Sequence, residues 1–94
     1  MLTRPIGMDD ATVALVHRAM NQRHLELEPP AVGASMRCEC ECHRTECASS
    51  FLITIESYER VRAHARCFVV APGHQRLGES VLSTAMSYWV IGAM

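Results

Sequence analysis

Three of the five cysteines in this 94-residue chain stand close together in a pattern that suits metal binding. Cys40, Cys42 and Cys47 form the motif Cys-x-Cys-x4-Cys. Thiolates this close in sequence repel one another unless a cation lies between them. Zn²⁺ takes about four thiolate or imidazole ligands in a tetrahedron, with Zn–S distances of about 2.3 Å. The spacing therefore predicts one bound zinc ion rather than three unrelated thiols in a solvated loop.

The fourth ligand is not fixed by this spacing. Its candidates are the nearby cysteines and histidines Cys38, His43, His64, Cys67 and His74. Cys38 would extend the alternation of cysteines, but an extended alternation places all of them on one face of a strand. His43 lies inside the short loop, which limits its reach. His74 follows Pro72-Gly73, a tight-turn signal that would fix an imidazole at a strand end.

An N-terminal helix is the first element expected near this cluster. Asp9 and Asp10 open it, with acids at the positive end of the helix dipole, and Pro29-Pro30 ends it near Glu28. Its apolar residues at helical spacing form a stripe that we call the α1 stripe: Val13, Val16, Met20 and Leu27. Leu15 and Ala19 widen the apolar surface beside this stripe. A lone helix of about 18 residues is marginal in water, so the stripe must pack on something. We expect it to dock a protein partner or a second copy of the chain; the alternative is that it folds back onto its own sheet.

The remaining chain alternates between strand and helix signals. We predict strands over 51–55 and 67–71, a helix over 56–65 capped by Thr54, a turn at Pro72-Gly73, and one or two strands between 81 and 91. The predicted fold class is α+β: a small zinc-stabilised domain with an N-terminal helix, a short β-sheet and a second helix. The predicted division is residues 1–35 as helix and linker and residues 36–94 as the zinc-binding domain.

Three stretches carry a resemblance to a known family. They are Cys40-Glu-Cys42-His-Arg-Thr-Glu-Cys47, the run from Leu52 to Ala63 that includes Thr54 and Tyr58-Glu-Arg-Val-Arg, and Phe68-Val-Val-Ala-Pro-Gly-His74, together about a third of the chain. This pattern resembles a family of small, uncharacterised actinobacterial-type zinc-knuckle proteins. The resemblance implies that Cys40, Cys42, Cys47 and His74 are the metal positions and that Cys38 and Cys67 are extras. It implies no particular activity.

Composition, charge and the absence of known motifs restrict the functional classes that this sequence favours. A formal net charge of −1 disfavours nucleic acid as a partner. The uncharged stretch 81–94 has 14 residues, fewer than the roughly 20 that span a bilayer, and no secretory signal is visible, so we expect a cytoplasmic protein without membrane contact. Neither a metalloprotease nor a deaminase motif is present, and the glutamates among the cysteines are expected to be solvated.

The favoured function is therefore a non-enzymatic interaction or regulatory module with structural zinc and no catalytic residue. The alternative is a small zinc-dependent enzyme, or a sensor that responds to zinc or to thiol chemistry. A site closed by four protein ligands favours the first, and a site with an open position for water favours the second.

Overall fold

The computed structural model describes residues 10–27, 31, 33–76 and 78–92. Within these ranges the chain forms α1 (Asp10–Leu27), β1 (Ser35–Glu39), β2 (Ser50–Thr54), α2 (Ile55–Arg62), β3 (Cys67–Val70), β4 (Ser80–Thr84) and β5 (Trp89–Gly92). The strands make two antiparallel sheets, β1-β2 and a three-stranded sheet in the order β3-β5-β4. The fold is α+β, as the sequence predicts.

Helix α1 packs against β1 through a face that the apolar pattern does not mark. Of the α1 stripe only Val13 is buried, while Val16, Met20 and Leu27 are 42%, 52% and 67% exposed. The buried positions of the helix are Val13, Ala14, Arg18, Asn21 and Leu25. The helix therefore folds back onto its own protein, yet it leaves most of its apolar stripe in solvent. The division at residue 35 stays a prediction.

Arg18 is one of the two buried polar residues in the described part of α1, together with Asn21. Its guanidinium donates to the backbone carbonyls of Arg62, His64, Ala65 and Cys67, at and beyond the end of α2. The last carbonyls of a helix lack intrahelical donors and form its negative pole. A buried cation at this end supplies hydrogen-bond donors to the carbonyls and also neutralises their negative charge. The same group lies 5.3 Å from the centre of the Phe68 ring. Helix α2 ends at Arg62, before the predicted end at Ala65.

Strand β1 leads into the cysteine cluster and was not predicted. It pairs with β2, so that Met36 lies opposite Ile53 and Cys38 opposite Phe51, and all four of these residues are buried. The backbone N–H of Cys40, directly after the strand, donates to the carbonyl of Ser49 at 2.9 Å. The β1-β2 pair therefore fixes where the cysteine loop begins.

The second half of the chain follows the prediction more closely. The hydroxyl of Thr54 accepts from the N–H of Ser57 at 3.2 Å, which confirms Thr54 as the cap of α2. The stretch between 81 and 91 forms the β4-β5 hairpin, and the rings of Phe51 and Tyr88 stack at 5.6 Å and join the two sheets. No helix in the described part of the chain is long and apolar enough to cross a membrane.

Candidate metal centre

The four side chains predicted as metal ligands come together in the fold. The ligand atoms of Cys40, Cys42, Cys47 and His74 all lie within 4.8 Å of one another. The Nδ1 atom of His74 is 3.5 Å from the sulfur of Cys40 and 3.6 Å from the sulfur of Cys47. A tetrahedral ion with Zn–S near 2.3 Å and Zn–N near 2.0 Å would separate sulfur and nitrogen ligands by about 3.5 Å. These two sulfur–nitrogen separations therefore match those expected around one tetrahedral metal ion.

A tight turn after β3 brings in the histidine. The N–H of His74 donates to the carbonyl of Ala71 at 3.0 Å, and Gly73 between them has φ 84°. Pro72 in the second position and a left-handed glycine in the third are typical of a type II turn. Glycine adopts that backbone conformation without strain. The Pro72-Gly73 signal in the sequence thus positions the ligand most distant along the chain.

Backbone groups support the cysteine loop. The N–H of Ala71 donates to the sulfur of Cys40 at 3.1 Å, and the N–H of Cys47 donates to the carbonyl of Arg44 at 3.3 Å. A hydrogen bond to sulfur favours the thiolate form, which is the form that binds a metal. The turn that carries His74 therefore also orients Cys40.

The two buried thiols of the site compete for one proton. A hydrogen bond from Cys40 lowers the pKa of Cys42 to about 4, and the N–H of Arg44 and the imidazole of His74 add to this effect. The same hydrogen bond, together with burial, raises the pKa of Cys40. Two adjacent buried thiolates need a compensating positive charge. A divalent cation held by these residues would supply that charge and allow both thiols to ionise.

Glu41, between the first two cysteines, is buried, with 1% of its surface exposed. Its carboxylate accepts hydrogen bonds from the Tyr58 hydroxyl at 2.7 Å, the Asn21 amide at 2.9 Å and the Val69 N–H at 3.1 Å. Burial raises the pKa of Glu41, and these three donors and the charge of Arg18 oppose that rise. The expectation that the glutamates of this loop are solvated is wrong for Glu41.

Helix α1 holds the cysteine loop from the other side. The side chain of Asn21 accepts from the N–H of Glu39 and donates to its carbonyl, both at 2.8 Å, in the manner of a neighbouring strand. The Nδ1 atom of His17 lies 2.8 Å from the carbonyl oxygen of Cys42 and must donate there, since a carbonyl only accepts. Sequence reasoning missed these contacts. The position of Glu41 could have been inferred from the motif. In an extended Cys-x-Cys segment the middle side chain points to the face opposite the two ligands, and here that face meets α1 and α2.

The group does not include the other candidates for the fourth ligand, which are Cys38, His43, His64 and Cys67. Cys38 is fully buried in the core, where its thiol donates to the carbonyl of Glu39 at 3.6 Å. Burial and the nearby carboxylates of Glu41 and Glu39 raise the pKa of Cys38, so this thiol stays protonated. Its environment is that of an inert core residue.

Comparison of the chain with protein-family models, with curated proteins and with solved structures gives no match. Membership of the actinobacterial-type zinc-knuckle family accordingly stays a prediction from the motif. A metal centre at Cys40, Cys42, Cys47 and His74 is supported by the geometry and chemistry of these side chains.

Proposed function

We propose that the protein is a small zinc-binding interaction or regulatory module, without catalytic activity, in which one zinc ion stabilises the fold. The observation that carries this proposal is the convergence of Cys40, Cys42, Cys47 and His74 within 4.8 Å. Structural zinc is closed by four protein ligands, whereas catalytic zinc keeps a position for water. Four protein ligands fill the tetrahedron, so the ion would join the cysteine loop to the turn after β3.

Partial exposure of two ligands supports the alternative of a sensor over that of an enzyme. Cys40 and Cys42 are buried, but Cys47 and His74 are half-buried and lie where solvent reaches them. An ion held in this way could be exchanged without any open coordination position. It would also be released if a peroxide oxidised the Cys47 thiolate to a sulfenic acid, the peroxide being reduced to water or an alcohol. The same four ligands would then report zinc supply or thiol oxidation.

The ligand set is tested by metal analysis of the purified protein and single variants. We expect one zinc per chain, and we expect His74→Ala and Cys47→Ser to weaken binding. The loss should exceed the roughly 10–100-fold that follows removal of a hydrogen-bond partner of a ligand. Cys67→Ser, a half-buried cysteine outside the group, is the matched control and should retain the metal. Retention of zinc by His74→Ala together with its loss in Cys38→Ser would identify a different fourth ligand.

A protein partner, or a second copy of the chain, is proposed to dock on the outward part of the α1 stripe. Val16, Met20 and Leu27 are exposed there, and apolar residues at this spacing are the usual anchors of helix-in-groove contacts. Nucleic acid is a poor partner because three thiolates on one Zn²⁺ leave a negative charge, to which Glu39 and Glu46 add. Unpaired cysteines fit the cytoplasm, where thiols stay reduced.

Docking through the α1 stripe is tested with two substitutions of equal exposure. Met20 and Leu15 are both 52% exposed, but they lie about 140° apart around α1. We expect Met20→Glu to abolish self-association or partner binding while the amide spectrum of the fold is retained. Leu15→Glu introduces the same charge outside the stripe and should leave binding intact. The stripe is not the docking face if Met20→Glu and Leu15→Glu have the same mass in solution and bind the partner equally well.

A further inference from the structure

One face of the three-stranded sheet is only partly covered by α2. The helix contacts β3, and a helix with its side chains is about 10–12 Å wide, whereas strands lie about 4.8 Å apart. One helix therefore covers about two strands. β4 is the edge strand farthest from β3, and all five of its residues are exposed. A groove of about 370 Å³ remains between α2 and the outer strands, within the size range of small-molecule sites.

A β-bulge shapes the floor of this groove. The pairing of β4 with β5 shifts between Val81 and Ser83, so that Leu82 is an extra residue in β4. Bulges bend an edge strand and redirect its side chains. Both Leu82 and Ser83 line the groove. The side chain of Leu82 lies over Gly92: a Cβ added to Gly92 would be 3.3 Å from a methyl group of Leu82. Val90 on β5 continues the apolar floor.

The wall formed by α2 carries positive and hydrogen-bonding groups. Ser57 and Arg60 line the groove about one helical turn apart, and His64 follows just beyond the end of the helix. Arg60 is exposed and forms no salt bridge with any residue that the structure describes, while the neighbouring carboxylate of Glu59 is paired with Arg62. Glu56 precedes Arg60 by one turn but does not line the groove.

The helix end beside the groove does not repel anions as an ordinary helix C-terminus would. The carbonyls of Arg62, His64 and Ala65 accept hydrogen bonds from the buried guanidinium of Arg18. That cation offsets the negative pole of α2. The end of α2 therefore does not oppose the binding of an anion at Arg60.

We propose that this groove binds a small amphiphilic anion, namely a carboxylate with an aliphatic or aromatic body. The guanidinium of Arg60 would hold the carboxylate, with hydroxyl donors from Ser57 and Ser83 nearby, since its planar fork matches a carboxylate with two hydrogen bonds. The body would lie on Leu82 and Val90. The proposal does not depend on the metal, because none of the lining residues belongs to the four-ligand group.

The test is an NMR titration of the metal-loaded 94-residue protein with three probes. Octanoate carries both features, acetate has only the anionic head, and octyltrimethylammonium has the apolar body with the opposite charge. We expect saturable shifts for octanoate at Leu82, Val90 and the outer side of α2. Octanoate should bind about tenfold or more tighter than either comparison probe, because only it uses both the floor and Arg60.

Two arginine variants complete the test. Arg60→Gln should weaken octanoate binding by roughly tenfold, as expected for loss of a charge-assisted pair. Arg66→Gln removes an exposed arginine that is close in sequence but does not line the groove, and it should leave binding unchanged. The proposal is overturned if octanoate causes no shifts in the groove or binds no tighter than acetate. It is also overturned if Arg60→Gln and Arg66→Gln change the affinity for octanoate by the same factor.

Discussion

Removal of the metal with a strong chelator is expected to unfold the protein from Arg37 onward. Structural zinc contributes an apparent binding free energy of about 10–16 kcal/mol in small zinc-finger peptides, and a whole domain is stable by only about 5–15 kcal/mol. Without the cation, the Cys40 and Cys42 thiols are left buried beside each other. Helix α1 should lose its order as well, because His17 and Asn21 bond to the cysteine segment.

The measurement is near-UV circular dichroism together with amide spectra, recorded after metal loss has been verified by elemental analysis. Dispersed amide signals should collapse and should return when one equivalent of zinc is added back. Magnesium should fail to restore them, because it prefers oxygen ligands to thiolates. Unchanged spectra in the verified metal-free protein would mean that the metal does not stabilise the fold.

Replacement of Glu41 by alanine is expected to cost roughly 3–5 kcal/mol of unfolding free energy in the zinc-loaded protein. The substitution leaves the donors of Tyr58, Asn21 and Val69 buried without an acceptor, and it opens a cavity between α1, α2 and β3. Glu41→Gln should cost less, about 1–3 kcal/mol, since the amide oxygen keeps part of the network while its NH2 group faces the N–H of Val69.

Urea unfolding at fixed zinc concentration measures both changes. Glu26→Ala removes an exposed glutamate from the outer side of α1 and should alter stability by no more than about 0.5 kcal/mol. If Glu41→Ala were as mild as this control, the buried network around Glu41 would not hold the cysteine loop. Metal content of each variant should be determined alongside, because a weakened loop also lowers the affinity for zinc.

Local signals in the sequence predicted the parts of the structure that short-range chemistry decides. Thr54 caps α2, and Pro72-Gly73 makes the turn that carries His74. The predicted end of α1 near Glu28, before Pro29-Pro30, lies outside the described residues. The cysteine spacing identified three of the four grouped side chains because Cys40, Cys42 and Cys47 lie within a few residues of one another. Each of these features depends on backbone constraints within a few residues.

Features that depend on distant partners could not be predicted in this way. The apolar spacing on α1 marks a stripe but does not say which face meets the sheet. The inner face is set instead by Arg18 and Asn21, whose acceptors are carbonyls and a carboxylate up to 49 positions away. Strand β1 was missed for a different reason: Met36 and Cys38 alternate with polar residues at the period of a half-buried strand, but Cys38 was considered only as a metal ligand.

Zinc-edge X-ray absorption of the natively purified protein tests the Cys3His centre most directly. We expect one zinc per chain, bound by three sulfur atoms at about 2.3 Å and one nitrogen at about 2.0–2.1 Å. The outer-shell scattering of an imidazole should be present in the parent and in Cys38→Ser but absent in His74→Ala. A shell of four sulfur atoms, or an imidazole signal that persists in His74→Ala, would contradict the assignment of Cys40, Cys42, Cys47 and His74 as the ligands.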